Sequence, residues 1–249
     1  MKIRNSNWIY LFIIIIITFS LANSCTKDTT NNDTTPVSFT APIAFNDSLT
    51  YGTVSDFDGN NYKTIVIGTQ TWMAQNLSVT HYSNGAAIAN VRDNTAWSNL
   101  TTGAYCNYNN DVSLNSKFGK LYNFYTVVDP RNVCPTGWHV PTDSNWIILV
   151  NYLKGGDAAG AYIKEAGELH WADPNTGATN DSGFTALPSG YRLYDGTFRY
   201  AGYNAEYWTS DIDSMYGAVD RYLEYNSTRV GRVGVLRTHG FSVRCIKNN

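Results

Sequence analysis

Apolar and polar positions divide the chain into three regimes. Trp8 to Ala22, WIYLFIIIIITFSLA, is an almost unbroken apolar run of fifteen residues behind Lys2 and Arg4. A membrane-spanning helix needs roughly 20 apolar residues, whereas a basic start followed by a shorter run is the pattern of a secretory signal. Residues 1–24 are therefore read as a signal peptide. Residues 25–48 are polar and rich in Thr and Asn, with Pro36, Pro42 and few apolar anchors. Such a stretch buries too little surface to offset the entropy of ordering it, and a flexible tether is expected there. The folded domain is expected over residues 49–249.

Within that domain the pattern predicts mostly strands. Tyr51–Gly68 contains two β-prone runs around Asp58-Gly59-Asn60, a hairpin signal. Asp56, Asp58 and Asn60 also have the alternate spacing of a calcium loop. The twelfth position of such a loop would be Ile67 instead of Glu, so the turn is preferred. Trp72, Met73 and Leu77 are expected in the core. Residues 81–117 are polar and read as a long irregular surface region. Lys120–Val128 is apolar and aromatic, either a strand or a short buried helix.

The clearest helix is Thr142–Leu153. Trp146, Leu149, Val150 and Leu153 share one helical face. Thr142 is the N-cap, and Asn145 stands where a Glu would complete a capping box, which predicts half of that device. Gly155-Gly156 ends the helix. A shorter helix is expected over Ala158–Ala166. The C-terminal third reads as strands: a hairpin over Tyr191–Tyr200 around Asp195-Gly196, then Glu206–Ser210, Ala218–Tyr225, Val230–Leu236 and Phe241–Ile246. Tyr222 and Tyr225 do not alternate strictly, which leaves the register there open.

Composition narrows the function classes. Residues 1–24 hold Lys2, Arg4 and no acid, so the chain from Cys25 carries 16 Lys and Arg against 20 Asp and Glu. No basic cluster is present to neutralise phosphates, so no nucleic-acid partner is expected. Leu21-Ala22-Asn23-Ser24-Cys25 resembles a bacterial lipobox, in which the cysteine is lipidated and becomes the mature N-terminus. Ser24 fits that pattern; Leu21 sits one place early and Asn23 is unusual. Lys27-Asp28 is similar to the short charged signals that carry Bacteroidetes lipoproteins to the outer face of the outer membrane. Lipidation at Cys25 leaves Cys106, Cys134 and Cys245, and an exported protein with three cysteines is expected to form one disulfide and keep one thiol, with three pairings open.

Seven segments in order carry a family resemblance: YGTVSDFDGNNYKTIVIGTQTWMAQNL, YCNYNND, GKLYNFYTV, CPTGWHVPTDSNW, NTGATNDSGFTALPSGYR, EYWTS and GFSVRCIK. Together they closely resemble the Fibrobacter succinogenes major paralogous domain, a family of exported proteins, often lipoproteins, without an established activity. GWHVPTDSNW, EYWTS and GFSVRC are also similar to segments of the sulfatase-modifying factor family. That likeness implies an α+β, C-type lectin-like fold: two helices, small antiparallel sheets and long loops, here with an N-terminal hairpin added. In such a fold Trp138–Val140 would be the first strand and Phe241–Ile246 the last. Their antiparallel pairing would bring Cys134 beside Cys245; Cys106–Cys134 is the alternative.

The resemblance also frames the chemistry. The factor's oxidase activity uses two cysteines in its C-terminal region, and the matching stretch here, Arg229–Phe241, contains none, so the nucleophile is missing. His81, His139, His170 and His239 form no metal or hydrolase motif. No enzyme is expected. Sugar-binding C-type lectins hold calcium with an E-P-N loop and a later W-N-D. Asp173-Pro174-Asn175 is similar to the first, and Asn180 and Asp181 follow, so Asp173, Asn175 and Asp181 are candidate calcium ligands. A Pro-Asn turn with Asx-turns is the preferred alternative. Trp171 in this loop, and Trp97 and Tyr108 in the other, are candidates for stacking on a ligand. The expectation is a lipid-anchored outer-membrane or cell-surface module binding a glycan or a surface protein. The alternatives are a purely structural or adhesive module and, last, an enzyme related to the factor.

Overall fold

The computed structural model describes residues 38–249. The signal segment and Cys25 lie outside the described residues. The domain begins with β1 (Gly52–Ser55), β2 (Asn61–Ile67) and β3 (Gln70–Met73). It continues through β4 (Ala89–Asn90), α1 (Asn94–Ser98), β5 (Ala104–Cys106), α2 (Asn115–Phe118), β6 (Leu121–Tyr122) and α3 (Phe124–Val127). Next come β7 (Trp138–His139), α4 (Asp143–Tyr152) and α5 (Ala159–Ile163). The chain closes with β8 (Ser189–Arg192), β9 (Phe198–Ala201), β10 (Asn204–Trp208), β11 (Ala218–Glu224), β12 (Gly231–Val235) and β13 (Ile246–Lys247). The architecture is mixed α and β, mostly sheet with short helices. None of the described helices is long and apolar enough to cross a membrane.

Three sheets organise these strands. One has the order β1-β2-β3-β13-β7, the second β12-β11-β10-β8-β9, and the third β4-β5-β6. The first two have five strands each, larger than the small sheets expected, and the β8–β10 and β4–β5 pairings are parallel. The expected hairpin forms around Gly59, whose φ of 81° suits a residue without a Cβ. The acids of that turn are satisfied by protein donors. Tyr62 donates to Asp56 (2.5 Å), and the Thr80 amide donates to Asp58 (2.6 Å).

β13 pairs with both β3 and β7, so the C-terminus joins the start of the domain to the CPTGWHVPTDSNW stretch. Cys134 and Cys245 are disulfide-bonded across 111 residues, and Cys106 is a buried free thiol. Burial pushes that thiol up to about 12, so it stays protonated and inert at neutral pH. Trp138 and Val140 pack inward from β7, and His139 bonds Asn248 at its edge (2.6 Å).

Helix α4 buries Trp146, Leu149 and Val150, with Leu153 at its C-cap, as the periodicity predicts. Its capping box is complete. The Asn145 amide donates to Thr142 Oγ1 (3.1 Å), and the Thr142 amide donates to Asn145 Oδ1 (2.8 Å). Asparagine performs here the return bond for which a glutamate was sought, because its shorter side chain still reaches the cap amide. Helix α5 is shorter than expected and packs backbone to backbone. The Gly160 amide donates to Thr228 O (2.8 Å), and a Cβ on Gly160 would stand 2.6 Å from that oxygen.

Two sequence expectations change. Residues 81–117 are largely exposed, as expected, but they also contribute to the core. Trp97, Ala104 and Cys106 are fully buried with Leu121 in a separate apolar cluster. Polar residues there serve that burial: Arg192, itself buried, donates to Val91 O and Arg92 O and stacks on Trp97 at 4.3 Å. The second change concerns the tether. From Ser38 onward it is a strap bound to the domain. The Ser38 amide donates to Leu169 O, and the Ala44 amide to Glu165 Oε1 (2.7 Å). Buried His170 bridges Glu165 Oε2 (2.7 Å) and Ala41 O (3.2 Å). These bonds use the strap's backbone groups, while Phe39, Phe45 and Leu49 add a few apolar contacts, too sparse for the composition to advertise the attachment.

Candidate functional site

The loop singled out in the sequence is a structural clamp. Trp171 is fully buried, and its indole N–H donates to Ala186 O (2.9 Å). Asn175 is turned inward and donates to Glu165 O (2.9 Å); Asn180 exchanges bonds with Thr185 and donates to the strap. Asp173 and Asp181 remain exposed. Trp97 is also fully buried, donating to Thr238 O (2.6 Å). Tyr108 is half-buried against Phe198 and accepts from the Ala201 amide. Trp97 and Trp171 are thus withdrawn as stacking residues, because each indole is spent in the core. Asn175 is withdrawn as a calcium ligand, because its amide faces the protein interior. Among the described residues no three His, Cys, Asp or Glu side chains are arranged to hold a metal.

A different surface carries the converging chemistry. Alternation along β10 and β11 places Asn204, Glu206 and Trp208 on one face, opposite Glu224, Tyr222 and Asp220 in register. Across β11, Gly231 and Val233 of β12 extend that face. Tyr222 lies over Gly231, where any Cβ would meet its ring at 2.1 Å. On the other side β8 runs parallel to β10 and contributes Tyr191. The segment before β13 closes one end. Gly240 exchanges both backbone bonds with Arg192, and Ser242 bonds Glu206 and Trp208 through the backbone. Phe241 is thereby held 4.4 Å from Trp208 and 5.7 Å from Tyr191.

Two adjoining cavities lie on this face and share Tyr191, Asn204 and Glu224. The first, about 280 Å³, has Glu206, Asp220 and Tyr222 among its walls. The second, about 530 Å³, is lined by Tyr200, Tyr203, Tyr225 and Asn226. The rings form two pairs: Tyr203 meets Tyr225 edge-on at 5.2 Å, and Tyr200 meets Tyr191 at 5.8 Å. Tyr200 and Tyr203 are 54% and 46% exposed, unlike the buried tryptophans.

The floor of the first cavity is acidic. Glu206 and Asp220 are 6% and 1% exposed. Burial, and then the nearby Asp220 charge, pushes Glu206 well above the usual carboxylate range. Burial likewise raises Asp220, to about 7. Protonated Glu206 hydrogen-bonds Asp220, so the two acids share a proton. Asn204 donates to Glu206 Oε1 (3.1 Å). Tyr191 is pushed up to about 12 by burial and by Glu206.

This pair makes stability depend on pH. In the unfolded chain both acids ionise near pH ~4. In the folded protein they keep protons to higher pH, so the folded state binds more protons than the unfolded one. Stability therefore falls as pH rises from the carboxylate range through about 7, and further for Glu206. Glu206→Gln removes one titrating member while keeping the shape. Its thermal midpoint is expected to decline less between mildly acidic and mildly alkaline pH than that of the parent. A parallel decline in both proteins would refute the shared-proton arrangement.

The alternation N-x-E-x-W and D-x-Y-x-E was visible in the sequence, but not which of the two faces opens to solvent. Residues 65–247 match the family model of the Fibrobacter succinogenes major domain, which is well over half of the chain. The chain belongs to that family. Comparison with curated proteins and with solved structures gives no match.

Proposed function

We propose that this member of the Fibrobacter succinogenes major domain family is a non-catalytic, saccharide-binding module of an exported protein anchored through a lipid on Cys25. The observation that carries the binding reading is the line of solvent-facing tyrosines beside Asn204, Glu224 and Asn226. Sugar rings present apolar C–H faces that pack on aromatic rings, and their hydroxyls pair with amides and carboxylates. The groove lies on a hydrogen-bonded sheet, so little ordering is required on binding. The antiparallel β13–β7 pair and the Cys134–Cys245 bridge support a C-type lectin-like fold.

Glycan-array screening followed by calorimetry tests the groove. Tyr191→Ala and Tyr203→Ala are each expected to weaken binding of a retained glycan about tenfold, the loss of roughly 1–1.5 kcal/mol of aromatic contact. EDTA is expected to leave binding unchanged. Full affinity in both variants, or an array without hits, sinks the saccharide reading in favour of a structural or protein-binding surface module. The anchor is tested separately: a clickable fatty acid fed to cells should label the parent protein and leave Cys25→Ala unlabelled. Label persisting in that variant would reject lipidation at Cys25, and with it the placement at the outer membrane or cell surface that rests on it.

A further inference from the structure

We infer that the outer face of α4, together with Val66 of β2, lies on the lipid bilayer that holds the Cys25 anchor, so that the domain rests on the membrane surface. This depends on the lipid-anchor reading above and is independent of the saccharide groove.

Helix α4 is apolar on both sides. Trp146, Leu149 and Val150 face the core, whereas Ile147, Ile148 and Tyr152 face out. A helix that is apolar all round is normally covered all round. Ile148 and Tyr152 are four residues apart and stand one above the other on the helix surface. The Tyr152 ring lies on the bare backbone of Gly68 in the β2–β3 turn, where a Cβ would stand 3.0 Å from it. That contact carries the apolar surface from the helix onto the sheet. Val66 lines the same cavity as Tyr152, with Leu49 and Tyr162. Ile147, Ile148, Tyr152 and Val66 are 45%, 50%, 64% and 66% exposed. Single exposed apolar residues need no explanation, but a continuous run of them marks a contact surface.

Charge points to the occupant. Lys247 lines the cavity beside Ile148, and Lys154 stands over the Tyr162 ring. Lys63, three residues before Val66 on β2, stands over Phe45 and Tyr51. Asp181 is the single acidic side chain among the walls of these two cavities. An apolar and aromatic centre flanked by lysines matches the boundary between acyl chains and phosphates. Tyrosine rings sit at that level, and lysine heads reach the phosphates. The loop before β11 is also exposed and apolar, through Ile212, Met215 and Tyr216. There Asp211 and Asp213 stand among the apolar residues, and lipid phosphates repel them.

Chain length brings the face within reach of the bilayer. The Ser38 amide is bound to Leu169 O, so thirteen residues, 25–37, separate the anchor from the domain. Fully extended they span roughly 45 Å, about one domain diameter. Were the strap free as far as Leu49, the reach would nearly double. The bonds of the strap to Leu169, His170 and Glu165 thus keep the domain close to the membrane. Over so short a reach the face meets the surface at an effective concentration on the order of millimolar. A few half-exposed side chains, too weak to recruit a free domain, then suffice to hold it down.

The test uses the lipidated full-length protein in vesicles of phosphatidylethanolamine and phosphatidylglycerol. A nitroxide is placed on Ile147→Cys or, for comparison, on Ser214→Cys in the acidic loop. The native pair Cys134–Cys245 is bonded and Cys106 is buried, so these take no label. Collisions of each nitroxide with oxygen, which concentrates in lipid, and with a water-soluble nickel chelate are measured by power saturation. The oxygen-to-nickel ratio should be several-fold higher at 147 than at 214. Val66→Asp combined with Ile148→Asp, both at exposed positions and with the fold verified by thermal melting, should bring the ratio at 147 down to that at 214. A ratio unmoved by these two charges overturns the proposed contact. Equal ratios at 147 and 214, with the protein still on the vesicles after an alkaline wash, overturn it and leave the anchor standing; a face reserved for a partner protein gives this result. Immersion at 214 in place of 147 overturns it in favour of the other loop. A label at 147 shielded from both reagents and broadened by a second nitroxide shows another copy of the chain on this face and overturns the lipid. Release of the protein by the wash overturns the anchor reading, and the bilayer contact with it.

Discussion

Arg244→Ala should destabilise the fold by about 4–6 kcal/mol, from several buried acceptors losing their donor at about 1–3 kcal/mol each together with the cavity left behind. Arg244 is completely buried beside the disulfide. Its guanidinium donates to Asn76 Oδ1 (2.6 Å), Met73 O (3.3 Å), Thr185 O (2.9 Å) and Phe184 O. It also stacks on the Phe184 ring at 4.6 Å. Among the described residues no carboxylate pairs with it, and its charge is solvated by backbone carbonyls from two separate parts of the chain and by the Asn76 side-chain oxygen. Those carbonyls cannot turn to water when the side chain is removed. Arg244→Met keeps most of the volume and should recover only the cavity part of the loss. Denaturant unfolding measures both variants. A loss under about 2 kcal/mol for Arg244→Ala, no more than an ordinary substitution, would mean that the acceptors find other donors.

The second large effect is expected from the disulfide. Replacing Cys134 and Cys245 together with serine frees a loop closed across 111 residues. The chain-entropy model assigns such a loop about 4–5 kcal/mol. The double variant should unfold at a much lower denaturant midpoint, and the parent under strong reductant should follow it. Cys106→Ala is the control, since that thiol is buried and unpaired. A midpoint shift in the double variant no larger than in this control would show that β13 holds its place through strand pairing alone.

These two effects meet in one short segment, Arg244–Ile246, and its role differs from what its residue types suggest. In CPTGWHVPTDSNW and GFSVRCIK, cysteine, histidine and arginine are side chains of the kind active sites use. Here they close the domain. Cys134 and Cys245 join, His139 caps the edge of β7 through Asn248, and Arg244 collects carbonyls from elsewhere. The groove, in contrast, is built from tyrosines and three strand acids that no motif marks.

What could be read from residue order was whatever depends on near neighbours. The Asp58-Gly59-Asn60 turn, the apolar face of α4 and its Thr142 cap follow from local geometry, and each is present. The pairing of Cys134 with Cys245 came through family resemblance, and the bond is there. Burial was less legible. Trp97 and Trp171 stand among Asn, Asp, Thr and Gly, composition typical of exposed loops. Yet Asn175 and Asn180 point their amides inward, and the polarity that suggested solvent satisfies the backbone around buried rings. The same holds for the strap at 38–48, whose attachment depends on Glu165 and His170 more than a hundred residues away.

The groove lay furthest from reach. Glu206 and Asp220 are on different strands, and they share a proton only because the β10–β11 register sets Trp208 against Asp220. Tyr191 reaches them through a parallel pairing, and Phe241 through a segment held by Arg192 and Ser242. Period-two alternation in the sequence established that these residues share faces with their strand neighbours. Which face would be packed and which left open is a property of what the rest of the chain covers, and burial is settled only when the sheets are stacked. The shifted acidities are of the same kind, since they arise from desolvation and proximity that strand pairing creates.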